Sequence, residues 1–298
     1  MEKVNKSILI LGATGMLGHV VYTYFQKHTK YELFNLVYRN KLNENSIVCD
    51  VTNKSELEKK ILKINPSIII NCIGVLIKGS QSDPSNAIYL NAYLPHNLVN
   101  ICNRINAKLI HVSTDCVFSG KKGNYSEYDF RDADDIYGRS KSLGEVISEP
   151  HLTLRTSIIG PEIKAKGEGL FHWFMNQKKE IHGYEKVMWG GVTTIELSKA
   201  IDFHIKNGTY GIINITNNQK ISKLDLLRLL NKYFNKNQKL NIIPNDLKVS
   251  DKSLVTIRKN IRFEVSSYES MISELYEYFT RNHNQYKDYY FEYFNSMQ

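Results

Sequence analysis

Tyr137 and Lys141 stand four residues apart in Tyr137-Gly-Arg-Ser-Lys141, a spacing that puts a phenol and an ammonium on one face of a helix. A tyrosine with an ordinary pKa of about 10 exchanges protons sluggishly at neutral pH, and a neighbouring cation favours its phenolate and brings it towards the working range. The pair makes sense as an acid/base device. In a chain with 19 tyrosines the same spacing also arises by chance, so its surroundings decide. His111-Val-Ser113-Thr114-Asp115-Cys116-Val-Phe118 reads as a strand running into its carboxyl end, the edge at which open α/β sheets bind ligands. A hydroxyl placed there, on Ser113 or Thr114, can donate a hydrogen bond to a carbonyl oxygen.

A second group of residues suits a phosphate. Gly12-Ala-Thr14-Gly15-Met16-Leu17-Gly18 lies between an apolar run and a helical pattern. Side chains at its glycines would block a tight turn, hold a pyrophosphate off the backbone amides, or wedge the helix from the strand. The helix N-terminus offers free N–H groups to the phosphates. A structural turn without a ligand is the competing reading. Val37-Tyr38-Arg39-Asn40 closes the second strand, where an acidic residue would bind ribose hydroxyls. A cation there suits a 2′-phosphate, which favours NADPH, with NADH as the alternative. Arg39 reads equally as a solvated surface charge. Asp50-Val51 is placed to touch the adenine edge, although an Asp at a strand end also forms turns.

These residues need a sheet to carry them. Apolar runs at Ser7–Leu11, Tyr31–Tyr38, Ser46–Cys49, Ile68–Ile70, Leu109–Ser113 and Leu152–Ile159 read as strands. Between them, helices are predicted after the glycine turn, over about Lys54–Ile64 with Thr52 as acceptor at its start, over Ala92–Asn103 and over Gly138–Ile147. Strands alternating with helices imply right-handed crossovers and a parallel sheet covered on both faces. The fold class is therefore α/β: a Rossmann-type doubly wound parallel sheet with a smaller, partly helical C-terminal lobe. Residues 1–160 form the dinucleotide domain and 161–298 the lobe, except that about 190–216 returns to the first unit. Helices are expected over Thr194–Ile205, Lys223–Phe234 and Ser267–Arg281, with a strand at Gly211–Ile215. The tail Tyr286–Gln298 is aromatic at Tyr289, Tyr290, Phe291, Tyr293 and Phe294; it reads as packing rather than base stacking, which needs interleaved cations.

Composition narrows the class. With 298 residues, 42% hydrophobic and 23% charged, the chain is neither disordered nor collagen-like. The formal charge of +9 suits an anionic ligand, but the lysines are scattered, so nucleic acid is not indicated. No apolar run approaches the roughly 18 residues of a membrane span, and Met1–Lys6 leads into no cleavage pattern. Cys49, Cys72, Cys102 and Cys116 lie far apart, which suggests neither a disulfide frame nor a metal site. A cytoplasmic location fits best.

Taken together, Gly12-x-x-Gly15-x-x-Gly18, Asn71-Cys72-Ile73-Gly74, Asn91, Ser113-Thr114-Asp115 and Tyr137-x-x-x-Lys141 resemble the extended short-chain dehydrogenase/reductase superfamily. Within it, Ser113 to Gly120, Tyr137 to Glu145 and Leu154-Arg-Thr156 look like the dTDP-4-dehydrorhamnose reductase family. The resemblance implies NADPH-dependent reduction of a nucleoside-diphosphate 4-keto-6-deoxy sugar in surface polysaccharide synthesis. By carry-over Tyr137 would protonate the C4 oxygen, Lys141 would hold the nicotinamide ribose and tune Tyr137, and Thr114 would position the carbonyl. Gly12, Thr14, Gly15, Met16, Leu17, Arg39, Asp50, Val51, Cys72, Ile73, Gly74 and Ser113, with Tyr137 and Lys141, would meet the cofactor. Val75, Thr114, Asp115 and Arg258 would meet the substrate, with Lys186 a further cation for its diphosphate. A dTDP- or UDP-linked sugar is the partner, and a homodimer is allowed.

The chain departs from that family at Cys116, where its members usually carry Tyr, at Ser119, where they carry Asp, and at Trp189-Gly-Gly-Val-Thr-Thr194, which replaces a proline-bearing phrase. Cys116 is a poor substitute for the Glu of a 4,6-dehydratase. It also falls one step beyond the cysteine of epimerase-reductases, on the opposite side of an extended backbone, and reads as a buried structural thiol. A C4 epimerase and a non-catalytic NADP-binding regulatory subunit are the alternatives.

Overall fold

The computed structural model describes residues 6–234, 240–258 and 261–296. Met1–Asn5 of the opening segment and the last two residues of the tail lie outside the described residues. Six strands, β1 (Ser7–Leu11), β2 (Glu32–Val37), β3 (Ile47–Val48), β4 (Ile68–Asn71), β5 (Lys108–Thr114) and β6 (Leu152–Thr156), join the strand Gly211–Asn214 in one sheet. Its order is Gly211–Asn214, β6, β5, β4, β1, β2, β3, and every pairing is parallel. The chain begins mid-sheet, runs outward through β2 and β3, then returns to β4 on the other side of β1. That reversal opens a crevice at the carboxyl ends of β1 and β4.

Alternation along β1 explains the two covered faces. Ile8 and Ile10 pack with Val20, Val21 and Phe25 of α1 (Gly18–His28), and with Ile195, Leu197 and Ile201. Leu9 and Leu11 face the other way, onto Leu57 and Ile61 of α2 (Lys54–Ile64) and onto Leu98 and Ile101. Each such side chain contributes about 1.5–3 kcal/mol on burial. The predicted helix start at Thr52 is corrected: Thr52 bonds Asp50 Oδ1 through its amide (2.9 Å) and hydroxyl (2.7 Å), and Asn53 caps α2 by accepting from the Glu56 amide. Asn65, left-handed at φ 50°, ends it.

Two short helices, α3 (Ile77–Ser82) and α4 (Pro84–Ala87), follow β4, and a π-helical turn over Ile88–Tyr93 feeds α5 (Leu94–Arg104). The expected helix over Ala92–Asn103 thus starts in a π turn. The next, α6 (Ile136–Leu143), stops short of the predicted Ile147. Gly144 ends it, where a Cβ would lie 1.9 Å from the Asn91 carbonyl oxygen.

The C-terminal half holds α7 (Leu170–Met175), α8 (Thr194–Lys206), α9 (Lys223–Phe234) and α10 (Tyr268–Arg281). It also carries short strands unseen in the sequence: Glu180–Tyr184 beside Asn241–Asn245, and Val187–Trp189 between Ile221–Ser222 and Ser250–Asp251. The tail forms α11 (His283–Tyr286) and α12 (Phe291–Asn295). Tyr286, Tyr290 and Tyr293 are buried against Phe279. Among the described residues, no helix is long and apolar enough to cross a membrane.

Candidate active site

The turn between β1 and α1 takes a shape that only glycine permits. Gly12 has φ +75°, and its amide donates to the Leu36 carbonyl at 3.0 Å. A Cβ on Gly18 would stand 2.2 Å from the Gly12 oxygen, and one on Gly15 would stand 3.2 Å from it. No side chain caps the start of α1, and Gly15, Met16 and Leu17 just before it line the crevice, the arrangement that accepts a phosphate. The cradle fits a dinucleotide.

From this turn a cleft of ≈510 Å³ runs along the sheet edge, bounded opposite by Thr156–Ile158 and by Glu162, Lys164, Glu168 and Gly169. Gly15, Met16, Leu17, Cys72, Ile73 and Gly74 line its near end. Ser113, Thr114, Asp115, Cys116, Tyr137 and Lys141 line its middle. The structure therefore brings together motifs spread over more than 120 residues, because β1, β4 and β5 end side by side.

Tyr137 sits in the first turn of α6, capped by Asp135, whose carboxylate accepts from the Gly138 amide at 2.8 Å. Gly138 allows the helix to press on the turn that follows β5, since a Cβ there would come within 2.2 Å of the Cys116 oxygen. Burial pushes the Tyr137 phenol well above its ordinary range; Cys116 adds to this and the Thr114 hydroxyl opposes it. Lys141, 4% exposed, donates from Nζ to the Val112 carbonyl at 2.7 Å. Burial brings it down to about 8, against the upward pull of Glu145 and Cys72. The expected lowering of Tyr137 by Lys141 is corrected. Shared helix face does not join the two heads, because the lysine stem reaches across to β5, and burial dominates both groups. The phenol consequently stays protonated through the neutral range.

Thr114 Oγ1 donates to Asp115 Oδ1 at 3.1 Å and accepts from the Cys116 amide at 3.1 Å. It thereby caps a 3₁₀ turn, Asp115–Val117. That turn overturns the extended backbone predicted here: Cys116 is half-buried and borders the cleft with Asp115, its thiol raised by burial to about 12. Ser113 borders the cleft, but its hydroxyl turns away and donates to Glu145 Oε1 at 2.7 Å. Glu145 and Arg155 form a buried two-pronged pair at 2.8 and 2.7 Å. Burial raises the Glu145 carboxyl, yet Arg155, Arg131 and Ser113 outweigh it and hold it below the usual range. This pair braces β5 and β6 behind the site. Asn91 fixes the loop after β4, bonding both the amide (2.9 Å) and carbonyl (3.0 Å) of Val75 and the Ser140 hydroxyl (3.1 Å); the Val75 backbone is thus engaged.

Other predicted residues fall outside the cleft lining. Arg39 is exposed past the carboxyl end of β2, with its guanidinium 4.4 Å over the Tyr38 ring. Gly12 and Thr14 form the turn itself. Val51 is in the core, and the Asp50 carboxylate serves the Thr52 turn. Arg258 lies at the edge strand, where Nη1 donates to the Ile212 carbonyl at 3.4 Å near the amino end of that strand, away from the carboxyl edge. Lys186 pairs with Asp246 at 3.3 Å on the surface. Neither cation is placed for a diphosphate in the cleft. Sequence reasoning missed the facing wall, above all Glu162, 2% exposed; the Gly160-Pro161 break after β6 was the signal available.

A model of the RmlD substrate binding domain matches residues 6–187. A dTDP-4-dehydrorhamnose reductase of Aggregatibacter actinomycetemcomitans is 31% identical over 156 residues, covering 50% of each chain. The methionine adenosyltransferase 2 subunit beta of Bos taurus is 29% identical over 142 residues, 47% of this chain and 42% of that one. The chain thus aligns with about half the length of the curated relatives it matches. Among solved structures, dTDP-4-dehydrorhamnose reductase from Bacillus anthracis in complex with NADP superposes with a TM-score of 0.78 at 22% identity, covering 92% of this chain and 99% of the other.

Proposed function

This chain belongs to the family of the RmlD substrate binding domain, and from that premise we propose that it is an NADPH-dependent reductase of a nucleoside-diphosphate 4-keto-6-deoxy sugar. The observation that carries the reading is the meeting of Tyr137, Thr114 and Lys141 in one cleft whose near end is the glycine turn. In this reading the main sheet unit, residues 1–160 with about 190–216, holds the dinucleotide. The remainder of 161–298 holds the sugar nucleotide, dTDP- or UDP-linked, and a cytoplasmic location goes with both.

Gly15, Met16 and Leu17 would hold the pyrophosphate, and Arg39 the 2′-phosphate from the adjoining strand end. Lys141, kept charged below about 8 and aimed by the Val112 carbonyl, would donate to the nicotinamide ribose hydroxyls. The reduced nicotinamide, when bound, supplies a hydride. Tyr137 then delivers its phenolic proton to the ketone oxygen as general acid. Its raised pKa keeps that proton in place beforehand. Thr114, by rotating its hydroxyl from Asp115, donates a second hydrogen bond to the same oxygen.

The test is to mix the protein with NADPH and a panel of dTDP- and UDP-4-keto-6-deoxy sugars and follow the reduced-nicotinamide absorbance. The reading expects decay with at least one sugar, with one alcohol formed per NADPH lost. Interconversion of C4-hydroxyl sugar nucleotides at C4 without net NADPH loss would indicate a C4 epimerase instead. Tight NADP binding with no conversion of any sugar would favour a regulatory subunit, the second reading, which the similarity to methionine adenosyltransferase 2 subunit beta supports.

A further inference from the structure

The aromatic tail, read from the sequence as packing alone, reaches both walls of the cleft. On the sheet side, His19 Nδ1 donates to the Gly15 carbonyl at 2.7 Å, and His19 Nε2 accepts from the Tyr286 hydroxyl at 2.9 Å. Burial lowers His19 to about 4, so the ring is neutral and this one tautomer serves both bonds. On the facing side, the Tyr290 hydroxyl accepts from the Glu162 amide at 2.8 Å. Glu162 Oε1 in turn accepts from the Gly169 amide at 2.6 Å, closing the 162–169 loop into a staple ahead of α7. The walls meet where a Cβ on Gly169 would lie 2.3 Å from Met16 Cε. Both tyrosine rings pack on one anchor, Phe279, at 5.0 and 5.1 Å between centroids.

We propose that Tyr286 and Tyr290 are positioning residues for the dinucleotide: their hydroxyls tie the Gly15 turn and the Glu162–Gly169 loop to one aromatic segment and so set the cleft's width at Met16. This rests on the reading of the cleft as a dinucleotide site. Without the Tyr290 hydroxyl the buried Glu162 amide has lost its acceptor, and the loop must shift to find another. Without the Tyr286 hydroxyl, His19 Nε2 has lost its donor, and the ring that bonds the Gly15 carbonyl is held at one nitrogen only.

Tyr286→Phe and Tyr290→Phe keep the rings and remove one hydroxyl each. NADPH dissociation constants, taken by fluorescence titration well below each variant's Tm, are expected to rise about fivefold in either variant, while kcat at saturating NADPH and sugar stays within about twofold. A purely structural role would lower Tm and leave the dissociation constant alone. Exposed Tyr289→Phe is expected to bind as the parent does. Trypsin cleavage at the exposed Lys164 and Lys166 is expected to quicken in Tyr290→Phe but not in Tyr286→Phe, which separates the two ties. Unchanged NADPH affinity in both Phe variants overturns the inference while the parent's own binding leaves the functional reading standing. A parent protein that binds no dinucleotide overturns both.

Discussion

Along the sheet edge, the residues that follow the strands into the cleft lie within a few positions of a strand end: Gly15 after β1, Cys72 and Gly74 after β4, Thr114 at the end of β5. Across from it, Glu162 is held by Tyr290, 128 residues away. The first wall is a backbone wall, where a methyl group at Gly18 would collide with the Gly12 carbonyl oxygen at 2.2 Å. The second is made of side-chain hydroxyls and carboxylates that hold amides at a distance. A backbone wall admits few substitutions, whereas a side-chain wall can be adjusted bond by bond. The difference assigns cofactor geometry to the first wall and fine adjustment of fit to the second.

Substitutions should therefore separate the walls by size of effect. Gly18→Ala is expected to weaken NADPH at least about 100-fold or to prevent folding, because backbone must move to admit the Cβ. Near-normal affinity by titration would break the contrast. Lys141→Met is expected to lower kcat/KM about 100-fold, since a positioned charge is lost, while Tm holds or rises because a buried cation has been removed. The parent's rate carries the matching pH signature. Lys141 is charged below its value of about 8, so kcat/KM should fall as pH rises through that point, and a flat profile there would argue against the ammonium. Arg39→Ala is expected to weaken NADPH about tenfold and NADH less than about twofold, and an equal loss for both would remove the 2′-phosphate reading. Smallest is the change of about fivefold foreseen for Tyr290→Phe on the facing wall.

The same contrast explains what the sequence disclosed. The main sheet was legible because β4 opens on the unbroken apolar run Ile68–Ile70 and because helices of ten or so residues punctuate the strands. The glycine turn was legible because close approach restricts residue type. The Asp115–Val117 turn was not: it depends on the Thr114 hydroxyl capping the Cys116 amide, and Ser/Thr side chains bond locally in many backbone settings. The direction of Lys141 was not legible either, since helical spacing fixes a face but not where a four-carbon stem ends. Arg258 and Lys186 were chosen for charge alone; one goes to the Ile212 carbonyl and the other to Asp246. The wall at Glu162 was hidden most deeply, because its partner lies at the far end of the chain. Short strands such as Glu180–Tyr184, with Glu180, His182 and Tyr184 exposed, carry too little apolar pattern to read.

The central claim is that Tyr137 delivers the proton to the ketone. The direct measurement follows NADPH oxidation by the parent and by Tyr137→Phe with the sugar nucleotide that the parent turns over, alongside NADPH titration of each. A drop in kcat of roughly 1000-fold or more, with NADPH affinity within about twofold, is the predicted result; a Tyr137→Phe protein that turns over at near-normal rate would contradict it.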